Sequence, residues 1–300
     1  MSVLTKWLES LHVETIITSK CTRARNRKST CSYCLEQCKH EAIVFKEHLL
    51  VIDTNKCTMC GACMIACPLS GIEGLAANRV FEKGSLLFDH TYTPSLKELL
   101  IYKKRGMKLI EAGQTLINQE WESVVAEANE RLTMLGETEI HITMKSCSEK
   151  LSRRALFGNF QTEGKQLAKS LTPASWQMEP DGWKLSKYFP GYQFFSVELN
   201  TNDCTLCQAC FSLCPEDVFT INETTLQIDN GKCVNCTSCT DICPENAIQI
   251  REDLKRKNER EEMFQKKQCE SCGQTFNTFQ IGTEKCHVCI NRDSEWLSPY

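Results

Sequence analysis

Apolar residues follow two rhythms along the chain. Leu4, Trp7, Leu8 and Leu11 recur at helical spacing, which predicts an amphipathic helix over 1–17. Ala42-Ile43-Val44-Phe45 and Leu49-Leu50-Val51-Ile52 are short apolar runs of strand type, and together they predict a hairpin. From Val80 to Met144 the pattern becomes more regular. Phe88 and its neighbours read as a strand, and Pro94 to Lys104 as a helix with Leu96, Leu99 and Leu100 on one face. Met107 to Ile110 follows Gly106 as a strand. Ile117 to Leu135 places Trp121, Val124, Val125, Ala128 and Leu132 at helical spacing and stops at Gly136. Glu139 to Met144 alternates around Ile140 and Ile142. This β–α–β–α–β order predicts a small parallel sheet over 80–145. Val218 to Ile221 and Thr225 to Ile228 then repeat the early hairpin, with Asp229-Asn230-Gly231 after it. Arg251 to Gln268 mixes both charges with few apolar residues, which predicts a solvated helix over 253–268. No run of 18 apolar residues exists, so no span of a bilayer is expected.

Cysteine changes this picture, at 21 of 300 residues. Cys204, Cys207, Cys210 and Cys214 are spaced C-x2-C-x2-C-x3-C before Pro215, and Cys233, Cys236, Cys239 and Cys243 repeat that spacing before Pro244. Cys57, Cys60, Cys63 and Cys67 show it again, before Pro68. Cys21, Cys31, Cys34 and Cys38 read C-x9-C-x2-C-x3-C, with Lys39 where the others have Pro. An internal repeat of about 60 residues is therefore present, each copy containing one hairpin.

These runs resemble the bacterial two-cluster ferredoxins, whose cysteines hold [4Fe–4S] cubes. The resemblance implies an α+β fold with two such units, each of ferredoxin-like βαβ pseudo-two-fold plan, at 18–79 and 193–252. In that family the fourth cysteine of each run ligates the other cluster. Carried over, one site takes Cys204, Cys207, Cys210 and Cys243, and its partner Cys233, Cys236, Cys239 and Cys214. In the first unit Cys57, Cys60, Cys63 and Cys38 form one site, and Cys21, Cys31, Cys34 and Cys67 the other. Closing a longer loop costs little, so the widened run is compatible with a fourth [4Fe–4S] cluster. The alternative is three firm ligands and a three-iron or oxygen-labile cluster.

The widened loop holds Lys20, Arg23, Arg25, Arg27 and Lys28 with no acidic residue among them. It reads either as a solvated loop balancing anionic clusters or as a docking patch for an acidic partner or an anionic ligand. The tail, 269–300, pairs Cys269-x2-Cys272 with Cys286-x2-Cys289, a zinc-ribbon pattern for one Zn2+. A rubredoxin-like iron site uses similar knuckles, but the absence of Pro and Gly around Cys289 favours zinc. His287 reads as a bystander, and Cys147 as a structural or surface thiol.

Residues 146–192 read as a linker, with Trp176, Trp183, Tyr188, Phe189 and Tyr192 available to pin it. Within it Ser152-Arg153-Arg154-Ala155-Leu156-Phe157 resembles a twin-arginine export signal. Its position mid-chain and the polar residues Gln161 to Lys165 argue against export. A twin-arginine stretch ahead of a ferredoxin unit is also similar to the cytosolic ferredoxin-type accessory proteins of periplasmic nitrate reductase, which implies a molybdoenzyme partner.

The net charge of −3 implies no general polyanion or membrane field, and a nucleic-acid role for the tail is disfavoured. Met1 to Leu11 has no basic region followed by an apolar run, so it is not a secretory signal, and with Lys6 alone basic a membrane-surface anchor is disfavoured. So many cysteines at metal spacings point to a reducing cytoplasm. No G-x-G-x-x-G, no G-x-x-x-x-G-K-[ST] and no radical-SAM C-x3-C-x2-C spacing occurs, so a self-contained enzyme is disfavoured and 80–145 reads as a spacer or partner-binding domain. Two readings stand: an electron-transfer protein serving a larger redox enzyme, or an accessory protein for assembly of a molybdenum or iron–sulfur oxidoreductase.

Overall fold

A computed structural model describes residues 15–47, 49–77, 79–113, 117–144 and 182–290. The chain divides into two units: Met1–Arg25 with Ser32–Tyr188, and Asn26–Cys31 with Phe189–Tyr300. The described part of the predicted N-terminal helix ends in a strand, β1 (Ile16–Ile17), and residues 1–14, the twin-arginine stretch and Cys147 lie outside the described residues.

The first unit continues with α1 (Thr22–Arg25) and α2 (Tyr33–Glu36). The hairpin β2 (Ile43–Lys46) and β3 (Leu49–Ile52) follows, then α3 (Ala62–Ala66) and β4 (Ile72–Glu73). β2 pairs antiparallel with β3, Ile43 opposite Ile52, and β1 with β4, Ile17 opposite Ile72. The hairpin buries Ile43 and Leu50 on its inner face and leaves Phe45 and Leu49 more than half exposed.

The α/β region belongs to this same unit. Its strands are β5 (Phe81–Glu82), β6 (Ser85–Leu87), β7 (Leu109–Ala112) and β8 (His141–Met144). They form one sheet in chain order, with β6, β7 and β8 parallel and β5 antiparallel at the edge. Two helices make the crossovers, α4 (Leu96–Lys104) and α5 (Gln119–Met134). α4 starts at Ser95, whose side chain accepts from Glu98 N, and α5 at Asn118, whose side chain accepts from Trp121 N. α5 ends as Gly136 turns left-handed at φ 72°, and Glu137 N donates to Leu132 O at 2.8 Å, closing a Schellman turn. Leu99, Ile101, Ile110, Ala128 and Leu132 are almost wholly buried, each large aliphatic contributing roughly 1.5–3 kcal/mol. Trp183, just before α6 (Leu185–Tyr188), is also buried and stands edge-on to Tyr102 at 5.8 Å.

The second unit pairs a long strand β9 (Tyr192–Leu199) with β12 (Ile248–Arg256), antiparallel. Between them run α7 (Ala209–Leu213), the hairpin β10 (Phe219–Ile221) and β11 (Thr225–Asp229), a 3-10 turn at Asn230–Lys232, and α8 (Ser238–Ile242). Asn230 is buried and its side-chain Oδ1 accepts from Val197 N at 2.8 Å.

The charged segment 253–268 is not a helix. It finishes β12 and then forms β13 (Glu259–Met263) and β14 (Gln265–Gln268). β13 adds to the hairpin as a third strand, Thr225 opposite Met263 and Asp229 opposite Glu259. A helix there would have had no apolar stripe to bury. As strands, the segment turns Leu254 and Phe264 into the core and leaves its charges outside, where Lys257 pairs with Asp229 at 2.9 Å. β14 pairs with β15 (Thr275–Thr278), and α9 (His287–Ile290) closes the described tail.

Candidate metal centres

Four turns, two in each unit, share one backbone plan. A fourth cysteine of a run is followed three residues later by a left-handed residue: Glu41, Ser70, Asp217 and Asn246, all with φ near 50°. The next residue then donates its N–H to the sulfur. Ala42 N reaches Cys38 Sγ at 3.3 Å, Gly71 N reaches Cys67 Sγ at 3.2 Å, Val218 N reaches Cys214 Sγ at 3.5 Å and Ala247 N reaches Cys243 Sγ at 3.3 Å. A non-glycine residue in this conformation costs of order 1 kcal/mol, so four such turns imply that the aimed N–H groups serve the sulfurs.

The carbonyl of that same residue anchors the next run. Asp53 N donates to Ala42 O, Asp229 N to Val218 O and Asn200 N to Ala247 O. In these three quarters a cysteine, Cys57, Cys233 or Cys204, comes four residues after the anchor. Two left-handed residues then wrap the loop: Met59 and Gly61, Asn235 and Thr237, Leu206 and Gln208. Met59 N accordingly donates to Cys57 Sγ at 3.4 Å. The short helices α3, α8 and α7 carry the third cysteine of each run.

The structure brings several of these thiols together. Cys204, Cys207, Cys210 and Cys243 line one void, together with Leu206 and Phe219. Cys38, Cys57, Cys60 and Cys63 line another, with Ala42 and Ile52. Cys214 acts electrostatically on Cys233, Cys236 and Cys239. Burial, followed by the neighbouring thiols, pushes Cys63 and Cys210 up to about 12 and drives Cys239 higher still. Burial also pushes Cys233 to about 12. Such thiols stay protonated at neutral pH until a cation replaces the protons. Apolar voids lined by four sulfurs, with N–H groups aimed at several of them, suit an iron–sulfur cluster.

The quarter that begins at Cys21 departs from this plan. Its anchor, Thr18 N to Gly71 O at 2.9 Å, is intact. Cys21 comes only three residues later and opens α1, with Ala24 N and Arg25 N both donating to Cys21 O. No left-handed residue occurs between Cys21 and Cys38. Cys21 instead lies against the turn that follows Cys67. A Cβ placed on Gly71 would sit 3.0 Å from Cys21 N and 3.2 Å from its Cα. Ala42, Val218 and Ala247, at the matching positions, all carry a Cβ, so glycine is needed only where Cys21 approaches. Cys34 is buried on α2 and acts on Cys63. Cys31 ends the Asn26–Cys31 segment that groups with the second unit, where Thr30 donates twice to the Asp241 carboxylate, at 2.8 and 2.7 Å.

The tail cysteines form a tighter group. The sulfurs of Cys269, Cys272, Cys286 and Cys289 all lie within 4.8 Å of one another, the only such group among the described residues. Four thiolates about one ion at 2.3 Å are about 3.8 Å apart, and Cys272 and Cys286 stand at 3.9 Å. No other group of cysteines among the described residues is drawn this close. Gly273, at φ 67°, makes the knuckle turn by donating to Cys269 O at 2.8 Å. The N–H groups of Cys286, Cys272 and Ser271 hold the Cys269 thiol down at about 6.

Two cations against the first unit's ligand loops were not singled out from sequence. Lys97, on α4, donates to Ile65 O at 2.6 Å and to Cys67 O at 3.3 Å. Burial pulls it down to about 8, and the Cys67 sulfur opposes that fall. Arg79 donates to Cys60 O at 3.1 Å and to the fully buried Glu98 at 2.7 Å, and Tyr92 donates to the same carboxylate at 2.6 Å. The signal available was Ser95-x-x-Glu98, a capping-box pattern. Its glutamate turns away from the cap to hold Arg79.

Comparison with known proteins agrees with the cysteine geometry. Residues 50–73 match the 4Fe-4S binding domain family and residues 196–244 the 4Fe-4S dicluster domain family. Neither match reaches the divergent run at 21–38. An uncharacterized ferredoxin of Methanocaldococcus jannaschii is 39% identical over 56 residues, 19% of this chain and 36% of that protein. The chain thus spans little more than a third of that relative's length. The chain contains ferredoxin-type iron–sulfur domains in duplicate, and no described helix is long and apolar enough to cross a membrane.

Proposed function

We propose that the protein is a one-electron carrier with up to four [4Fe–4S] clusters, serving a larger redox enzyme in a reducing cytoplasm. The clusters would supply reversible one-electron redox chemistry. The chain's part is to place thiolates, exclude water and aim N–H groups at sulfur. The ligand sets are Cys204, Cys207, Cys210 and Cys243; Cys233, Cys236, Cys239 and Cys214; Cys57, Cys60, Cys63 and Cys38; and, in the divergent quarter, Cys21, Cys31, Cys34 and Cys67. The observation that carries this reading is the shared turn, in which an N–H is aimed at the fourth cysteine's sulfur in all four quarters.

The tail would hold one Zn2+ through Cys269, Cys272, Cys286 and Cys289 as a structural site. Docking of an acidic partner, such as a molybdoenzyme, would use the loop Lys20–Lys28. Part of that loop's charge is engaged locally, since Lys20 pairs with Glu73 at 3.3 Å and Arg23 lies 5.0 Å over the Phe45 ring. The exposed Phe45 beside Arg23 adds an apolar contact to such a surface.

Anaerobic purification followed by iron counting and an EPR-monitored redox titration tests the carrier. About sixteen irons that reduce reversibly are expected for four cubes. Substoichiometric, redox-silent iron with tight binding to an apo-oxidoreductase would instead establish the assembly role.

A further inference from the structure

The charged residues close to the cysteines differ between the two units. In the second unit both fourth cysteines lead into Pro-Glu, giving Glu216 and Glu245. The same positions in the first unit are His40 and Leu69. Glu216 acts directly on Cys233 and Cys236. On α8 of the second unit Asp241 stands where α3 of the first has Ile65. It is the carbonyl of Ile65 that receives Lys97 in the first unit.

Some of these charges are paired locally. Arg79 is offset by Glu98, and Lys39 pairs at the surface with Glu120 at 3.6 Å. Lys97 has no carboxylate within ion-pair reach among the described residues. The second unit's nearest analogue, Lys232, donates to Asp217 O at 3.3 Å but is half exposed and stands 3.9 Å from the Asp229 carboxylate. Reduction adds one negative charge to a cluster, so a partly buried cation favours the reduced form and an anion opposes it.

We infer that Lys97 makes the centre held by Cys67 easier to reduce than its counterparts beside Glu216 and Glu245, so that the first unit is the electron-accepting end of the chain. This rests on the reading that these cysteines hold clusters. Lys97 is a positioning residue here: it touches the carbonyl of a ligand-bearing loop and acts through charge.

The test is a potentiometric titration of the full chain, loaded anaerobically and followed by EPR, on Lys97→Met, Lys97→Arg and Glu216→Gln. Lys97→Met is expected to lower one midpoint potential and leave the others, at unchanged iron content, and Lys97→Arg to restore it. Glu216→Gln is expected to raise a different midpoint. Unmoved midpoints at full iron content in Lys97→Met would overturn the inference, whatever Glu216→Gln does, while the carrier reading stands. If Lys97→Met loses iron, Lys97→Gln takes its place and is judged by the same measure. A chain that binds no clusters at all would overturn the inference together with the reading beneath it.

Discussion

Gly71 shows how one residue can report on a ligand. Its N–H does for Cys67 what Ala42, Val218 and Ala247 do for their cysteines, but the Cys21 backbone occupies the place of its missing Cβ. Gly71→Ala should push Cys21 away, cost about 1–3 kcal/mol as overpacking against backbone, and disturb one cluster in four. Thermal melting and the EPR spectrum check this, and an alanine tolerated with full iron would mean that Cys21 has room to shift. Cys21→Ser should lower the iron count and alter one EPR signal. An unchanged count and spectrum would exclude Cys21 as a ligand. Asn230 makes a simpler case, because its side chain is the acceptor for a buried N–H of β9. Asn230→Ala leaves that N–H orphaned, which should cost about 1–3 kcal/mol, readable as a lower denaturant midpoint.

At the scale of elements, α4 does more than cover a sheet. Its first turn carries Ser95 as cap, Lys97 toward α3 and Glu98 toward Arg79. Breaking a buried ion pair strands the surviving charge, so Glu98→Ala should cost about 3–5 kcal/mol. Lys104→Ala removes a pair to Glu137 that is about one-third exposed on each side, and should cost at most about 1 kcal/mol. Comparing the two thermal midpoints separates a structural clamp from surface decoration. The α/β region was expected to be a spacer or partner-binding domain. Through α4 it reaches the ligand loops of the run 57–67 within one unit.

For the whole molecule, metal content is the decisive quantity. Elemental analysis should return about one zinc beside the iron if the tail holds a single tetrahedral ion. Cys272→Ser should release that zinc and leave the iron count and EPR spectrum unmoved. Iron alone, with none of it lost in that variant, would count against zinc. The tail knuckle draws four sulfurs within 4.8 Å of one another, which no other cysteine group among the described residues does. They are therefore expected to load separately.

Cysteine spacing determined most of the candidate chemistry, because the chain must bend around a cluster at fixed intervals and that geometry is local. The hairpins, the βαβαβ order and the helix stop at Gly136 were equally legible, since caps and apolar periods are written in short stretches. The charged segment 253–268 differs from its expected helix for a reason of the opposite kind. Its strand character comes from pairing β13 with β11, a partner some 35 residues distant that no local period reveals. Tertiary structure alone decided that Cys21 leans on Gly71, that α4 turns Lys97 toward Cys67, and that Glu98 leaves its cap for Arg79. Each depends on two segments far apart in sequence meeting at van der Waals or hydrogen-bond distance, and one chain read in order does not show which residues will meet.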